Sequence, residues 1–599
     1  MAAESTVPGG PAKETSSLEA ARGARTGLSK VWAVLAIVLL LVVYLGRLHG
    51  YPFQDPDEGR YAEIPREMIE SGDWLTPRLN YVKYYEKPPL LYWLTATSFT
   101  LFGQNEWAGR LVPALTGLAT IWMTFALGKA AFGVRAAWLS LGLLATAPLF
   151  FGLAQALVID MLLTACTTAT LASFWFAHRA VDPLVKRRWV LAVAVSAALG
   201  VLSKGLVALV LPGMVALALL VLWRDWATLR ALVGWRPIVT FLAIAAPWFV
   251  LVSRAHPEFA YFIFVREHFE RFAAEVGHPE GPFYYVPVML VGPLPWSVWA
   301  LLLVFSRSAR HAFGRIPAEP RTFLLVWAGF MFVFFSVASS KLATYVLPIL
   351  PAVALLLGAW IDELLDREPE IVSRYVTLTG RIVGVVGIAF IVAATIVWPL
   401  ADWFSAQFHV PADYLVYGAR AVLATGLALF ATAVTLRRRE AAGDLPGPRM
   451  AVLIAGAGFA LIASIEAREV VKTARSLAHA FVEHGREGDL LVSYRHLMQS
   501  LSFYAGTRVV QVEAENEIEH GAEYAPDRAE WFWDDAERLK REWSSSRRIF
   551  LATSRRKYPG LEGALDPPPR LLAQDHERML LVNFPAPGSR PLPPSIAPR

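Results

Sequence analysis

About thirteen stretches of this chain are apolar over the roughly 20 residues a helix needs to cross a bilayer. Their approximate centres are Leu40, Thr120, Leu143, Cys166, Val195, Met214, Ala245, Pro293, Phe330, Ala352, Ile388, Leu427 and Ile454. That repetition predicts a polytopic α-helical membrane protein, and 599 residues leave room for one further water-soluble domain. Composition agrees. Only 18% of the residues are charged, against about 25% in soluble proteins, and the mean hydropathy is +0.43. The net charge of +6 is no sign of nucleic-acid binding, because much of it sits in short loops between spans, where topology accounts for it. The single cysteine, Cys166, lies in an apolar run, which excludes an intramolecular disulfide and disfavours a thiolate metal site.

Residues 1–30 are polar, small and basic, and read as a disordered cytoplasmic tail. Val31–Leu48 reads as a first span rather than a signal peptide, since it is long, lacks a small-residue cleavage site and ends at Arg47 and His49. With the N-terminus inside, short loops on one side collect Lys129 and Arg135, Lys186 to Arg188, Arg307, Arg310 and Arg315, and Arg437 to Arg439. Short loops on the other side carry almost no basic residues, apart from Lys204 and Lys341. This is the positive-inside pattern, and it makes its two exceptions candidates for function. The outer face then holds loop 49–106, loop 255–282 and everything after about residue 467.

The membrane region is expected to span 31–466, followed by a small α/β domain over 467–584 and a proline-rich, disordered tail over 585–599. In the α/β domain, DLLVSYR, RVVQV, RRIFLATS and ERMLLVNF read as strands. HLMQSLSFYAG and PDRAEWFWDDAERLKREW read as helices. Neither a phosphate loop nor a metal or nucleophile motif is visible there.

Loop 49–106 concentrates ionisable residues where lipid-facing sequence would exclude them. Asp57 and Glu58 lead a stretch in which Tyr61, Ile64, Met68 and Ile69 share one helical face, which predicts a helix lying apolar side down on the membrane surface, started or kinked at Pro65. Alone, Asp57–Glu58 would be a helix-terminal acidic pair, but YYEKPPLLYW follows, with Glu86 and Lys87. Lys87 could simply snorkel, and Tyr81, Tyr84 and Tyr85 could form an interfacial belt. Asp160 opens the span ALVIDMLL, Lys204 sits in VLSKGLVALV, and Lys341 precedes Tyr345 in SKLATYVLP. Loop 255–282 carries FVREHFERF, with Arg266, Glu267, His268 and Arg271, read either as a solvated interfacial helix or as part of a site. A histidine there with Glu86 could also make a two-ligand metal site. Carboxylates beside cations at a lipid boundary suit a lipid phosphate together with sugar hydroxyls or amines. The combination points to a transferase whose donor is a lipid phosphate.

PDEGRYAEIPREMIESGDWLTPRLN, YYEKPPLLYWLTATSFTLFG, VLSKG, FVREHFERF, GPLPW and SKLATYVLP, in this order, closely resemble the ArnT family. These are lipid A aminoarabinose transferases of the GT-C class, related to protein O-mannosyltransferases. The resemblance covers about residues 32–465 and departs from the family at Pro65, where Ser is usual. It implies thirteen spans, a periplasmic C-terminal domain and transfer of a sugar from undecaprenyl phosphate to lipid A or a related glycolipid at the periplasmic face of the inner membrane. It implies Asp57 and Asp160 as catalytic carboxylates, with Lys87 and Arg271 on the donor phosphate. Glu86 and His268 would be a zinc pair, and Lys204, Lys341 and Tyr345 would line the cavity. Arg60 and Tyr84 in the same loop are further substrate-binding candidates. The competing expectation is a transporter, which would place ionisable groups in mid-membrane and show duplicated halves. A structural scaffold would leave the charged positions unexplained.

Overall fold

The computed structural model describes residues 34–263, 280–408, 412–464, 472–513, 517–575 and 577–592. The apolar runs fold as helices. Eight described helices are long and apolar enough to cross a membrane. Two pairs that bend sharply at a short break, Val134–Ala145 with Pro148–Ala154 (68°) and Tyr285–Val291 with Trp296–Phe305 (105°), bring the number to ten. The expected span centres fall within helices, except that Pro293 sits at the second of these bends. The helices at the expected first, fifth and sixth spans fall outside that group: α1 (Val34–Leu45) and α9 (Val207–Trp223) are short, and α8 (Pro183–Lys204) carries Lys186, Arg187 and Arg188 near its start.

Between α1 and α4 (Glu106–Phe132) the chain forms α2 (Asp57–Ser71), a hairpin of β1 (Arg78–Leu79) and β2 (Val82–Lys83), and α3 (Leu90–Phe102). Gly72, at φ 68°, adopts the left-handed conformation that ends α2. Pro65 is accommodated inside α2. The surface-helix expectation needs correction, because α2 buries both faces. Tyr61, Ala62, Ile64 and Met68 pack inward, while Glu63, Arg66 and Glu67 are also shielded. The polar face is covered by the C-terminal domain. A Cβ on Gly59 would meet the Ser500 backbone nitrogen at 2.5 Å, so only glycine permits this approach.

One buried ion pair fixes the start of α2. Glu58 accepts from Arg110 of α4 at 2.7 and 2.8 Å, from the Leu157 backbone N–H at 2.8 Å and from that of Gln54 at 3.1 Å. Arg110 also donates to the carbonyls of Leu48, Tyr51 and Pro52 and stacks 3.6 Å from the centroid of Tyr51. Leu157 lies just before α7 (Ile159–Arg179), so this carboxylate ties α2, α4 and the entrance of α7 together.

The C-terminal domain is α/β, with a seven-stranded sheet of order β5-β4-β3-β6-β8-β7-β9. β3 (Leu490–Tyr494), β4 (Val510–Val512), β5 (Phe532–Trp533) and β6 (Ile549–Ser554) run parallel. β8 (Arg578–Val582), β7 (Arg570–Gln574) and β9 (Arg590–Pro591) add antiparallel strands. The four expected strands form. The helix expected over PDRAEWFWDDAERLKREW is interrupted, because Phe532 and Trp533 pair with Gln511 and Val512 and Asp535 caps a new helix at the Arg538 N–H. β9 carries the ordered domain beyond residue 584, into the stretch expected to be a tail.

The domain is latched onto loop 49–106. Asp55 is buried and accepts from the Ser500 N–H (2.7 Å), the Ser500 hydroxyl (2.7 Å) and Arg578 (2.6 Å). Asn80 exchanges two 2.9 Å hydrogen bonds with the Val509 backbone, and the Tyr504 hydroxyl accepts from the Phe53 N–H and donates to Glu106.

Removing one partner of a fully buried ion pair costs roughly 3–5 kcal/mol. Arg110→Ala should therefore sharply lower the apparent melting temperature of the purified full chain in detergent, and an unchanged melting curve would refute the anchoring role of the pair.

Candidate functional site

The first turn of α2 presents its neighbouring carboxylates in opposite ways. Glu58 points inward, whereas the Asp57 side chain is 54% exposed. Arg60, one turn on, is the hub: it pairs with Asp57 and with Glu517 of the C-terminal domain and donates to the Tyr84 hydroxyl at 3.2 Å. Glu517 is held in turn by the Gln499 amide at 2.7 Å. Burial pushes the Glu517 carboxyl above the usual range, and Arg60 opposes that shift.

A second cluster forms where helices meet. Asp160, in the first turn of α7, pairs with Lys204, the last residue of α8. The Lys204 ammonium lies 4.6 Å from the ring centroid of Tyr345. Tyr61 of α2 joins the two clusters. Burial pushes its phenol up, Arg60 pulls it down, and both Asp57 and Asp160 act on it electrostatically. Its ring stacks on Tyr92, with centroids 6.0 Å apart.

Lys341 is buried, and its ammonium donates to the Glu280 carbonyl (2.7 Å) and the Ala338 carbonyl (2.5 Å). It lines a cavity of about 600 Å³ with Phe332, Ser336 and Ser339. The next residue, Leu342, accepts from the Tyr285 hydroxyl at 3.2 Å. Lys87 donates to the Glu86 carbonyl at 2.8 Å in the segment leading into α3. The Glu86 carboxylate acts electrostatically on both Tyr84 and Glu517, which places it beside the Arg60 hub.

The structure thus brings together Asp57, Arg60, Tyr84 and Glu86, and separately Asp160, Lys204 and Tyr345, with Tyr61 between them. Lys87 follows Glu86 of the first group in the chain, and Lys341 lies four residues before Tyr345 of the second. Arg271 and His268 lie outside the described residues. Zinc needs a set of imidazole, thiolate or carboxylate donors. Among the described residues no group of three such side chains converges, and Glu86 is the described member of the expected pair. Glu58, the neighbour of Asp57, has its oxygens taken up by Arg110 and backbone N–H groups, so it is a brace. Tyr84 and Tyr85 are buried rather than forming a lipid-facing belt, and the Tyr85 hydroxyl donates to Glu258 at 3.3 Å.

Sequence reasoning missed Arg110, Gln499 and Glu517. Arg110 had a detectable signal, a cation near the outer start of an apolar span, as with Lys204. Glu517 is separated from Arg60 by most of the chain and had none.

Comparison with known proteins covers both parts of the chain. Residues 86–251 match the dolichyl-phosphate-mannose-protein mannosyltransferase family, and residues 477–583 match the aminoarabinose transferase C-terminal domain. The undecaprenyl phosphate-alpha-4-amino-4-deoxy-L-arabinose arabinosyl transferase of Pectobacterium atrosepticum is 32% identical over 426 residues, 69% of this chain and 73% of that protein. The enzyme of the same name from Edwardsiella ictaluri is 31% identical over 61% of this chain, and a Sodalis glossinidius relative is 35% identical over 56%. The chain spans 66% and 60% of those two relatives, less than two thirds of their length. The crystal structure of ArnT from Cupriavidus metallidurans bound to undecaprenyl phosphate superposes with a TM-score of 0.77 at 29% identity, covering 92% of this chain and 98% of that one.

In contact, Asp160 and Lys204 should not behave independently. Asp160→Asn and Lys204→Met, alone and together, should show a coupling of about 1 kcal/mol in a double-mutant cycle on thermal stability, whereas strict additivity would deny the pair.

Proposed function

This chain belongs to the undecaprenyl phosphate-aminoarabinose arabinosyltransferase family, and from that premise we propose that it moves aminoarabinose or a related sugar from undecaprenyl phosphate to lipid A or another envelope glycolipid. In this reading the protein lies in the bacterial inner membrane with a cytoplasmic N-terminus, and both the reaction and the C-terminal domain face the periplasm. The observation that carries it is the pair of carboxylate–cation clusters joined across Tyr61 beside the C-terminal domain. The likeness of the whole chain to a structure that binds undecaprenyl phosphate supports it.

The reaction breaks the bond between the anomeric carbon and the phosphate oxygen of the donor and forms one to an acceptor oxygen. Undecaprenyl phosphate leaves with the electron pair, and cations stabilise the charge it develops. Lys87 and Arg271 are assigned to that phosphate. The exposed Asp57 carboxylate takes the proton of a hydroxyl acceptor. A phosphate acceptor, whose second pKa is near 6, needs no base, and Asp57 then orients the acceptor or the sugar amine. Arg60, braced by Glu517 and Tyr84, holds Asp57 in place. Asp160, Lys204, Tyr345 and Lys341 are assigned as further substrate contacts. Zinc held by Glu86 and His268 would supply further positive charge there.

A transporter would carry its ionisable groups in mid-span. Here Asp160 begins α7, Lys204 ends α8, and Lys341 follows the end of Ala318–Val337, so the arrangement favours interfacial chemistry.

Asp57→Asn and Lys87→Ala should each lower transfer at least ~100-fold, the usual weight of an acid–base or phosphate-binding group, in a membrane assay with donor and lipid A. Near-normal turnover in both defeats the site. Mass spectrometry of envelope lipids with and without the gene identifies the sugar and acceptor.

Chelation should reduce activity, and zinc should restore it in the wild type but not in Glu86→Ala. Activity indifferent to chelators would remove the metal from the scheme.

A further inference from the structure

The parallel part of the C-terminal sheet has the order β5-β4-β3-β6. The chain leaves β3 toward β4 and β5, then returns to lay β6 on the opposite side of β3. Doubly wound sheets accept ligands outside the carboxyl ends of their strands at this reversal. Here the carboxyl end of β3 runs into Arg495 and His496, and that of β6 into Arg555, Arg556 and Lys557. In the neighbouring β8, Arg578 pairs in register with Ser554, the last residue of β6, and the Arg555 N–H donates to the Glu577 carbonyl at 2.8 Å.

Charge at this corner is not balanced. Arg495 pairs with Glu513 at 2.6 Å, Lys472 with Glu577 at 3.5 Å and Arg578 with Asp55 at 2.6 Å. The consecutive triplet has no carboxylate partner among the described residues. Arg555 donates to the Gln574 amide oxygen at 3.2 Å, Lys557 donates to the Arg495 carbonyl, and Arg556 is exposed. His496 registers the excess: burial first, then Arg578, Lys557 and Lys472, push its imidazole down to about 4.

We propose that Arg555, Arg556 and Lys557 form a docking corner for the phosphorylated headgroup of the acceptor glycolipid, recruiting it beside the catalytic loop. The inference rests on the transferase reading above. Guanidinium and ammonium groups without carboxylate partners suit phosphate oxygens. Connectivity favours a lipid over a soluble phosphate. Arg578, directly across from the strand that ends in the triplet, holds Asp55, and Asp55 precedes Asp57 in the same loop. The Asp55 N–H also bonds the Lys472 carbonyl at 2.7 Å. Lys472 follows Ser464, the end of the last membrane helix, by about eight residues, at most ~28 Å of chain. The corner is therefore tethered close to the headgroup layer.

The test uses the full chain in detergent without donor, with native mass spectrometry reading bound lipid. The probes are bis-phosphorylated lipid A and its dephosphorylated form, with inorganic phosphate as competitor. Wild type should prefer the phosphorylated lipid. Arg555→Glu/Arg556→Glu should lose roughly tenfold in that affinity, with unchanged melting temperature and unchanged binding of the dephosphorylated form. The milder Arg555→Gln/Arg556→Gln should lose less. In transfer assays the acceptor KM should rise, while kcat and the donor KM hold. Equal binding of the two lipids by wild type, or unaltered affinity in both variants, overturns the docking corner. Displacement by inorganic phosphate at concentrations matching the lipid's reassigns it to a soluble anion and equally overturns it. Since binding is read without turnover, a wild type that binds selectively but transfers no sugar sinks the enzymatic reading and upholds the lipid-binding corner.

Discussion

A carboxylate and a guanidinium shut away from water hold this architecture in register. Burying Glu58 and Arg110 carries a desolvation cost of several kcal/mol per ion, offset only when every donor and acceptor is engaged. Here they are engaged: Glu58 takes two bonds from Arg110 and two from backbone N–H groups, and Arg110 gives its other protons to three carbonyls. The pair lies where α2, α4 and the entrance to α7 converge, so it sets the relative position of the helices that carry Asp57 and Asp160. Successive residues of a helix point about 100° apart. With Glu58 locked inward, its neighbour Asp57 is directed outward and left half exposed.

The second determinant is that the site is built from two bodies. Arg60 lies between a carboxylate of its own helix and one from the C-terminal domain, and Gln499 steadies the latter. The face of α2 that would otherwise meet water is covered by that domain at the contact only Gly59 allows. The C-terminal domain therefore completes one wall of the candidate site around Arg60, and the carboxyl edge of its sheet, where related topologies take ligands, receives Asp55 of the membrane part.

Much of this was legible in the sequence, for physical reasons. Apolar runs must become helices in lipid, and basic loops sort by side. Lys204 and Lys341 therefore stood out as cations on the wrong side, and Lys204 indeed meets Asp160. Asp57, Glu86 and Lys87 stood out because lipid-exposed sequence excludes such groups. What escaped was tertiary. The hydrophobic face of α2 was plain, but the burial of Glu63, Arg66 and Glu67 depends on tertiary neighbours, Tyr81 of the hairpin among them. Glu58 and Asp57 are indistinguishable in sequence, and only Arg110 separates the buried brace from the exposed carboxylate. The break at Phe532–Trp533 was hidden because helical periodicity continues through it, and strand pairing with β4 overrides local preference.

Asp55 and Asp57 are two residues apart, at most about 7 Å of extended chain. The first is clamped by Ser500 and Arg578, and the second is half exposed and paired with Arg60. Such a tether leaves little slack between the C-terminal domain and the Asp57 carboxylate. Any rocking of the outer body would be felt at Asp57 as displacement or strain, which couples the seating of the cap to the geometry of the candidate site.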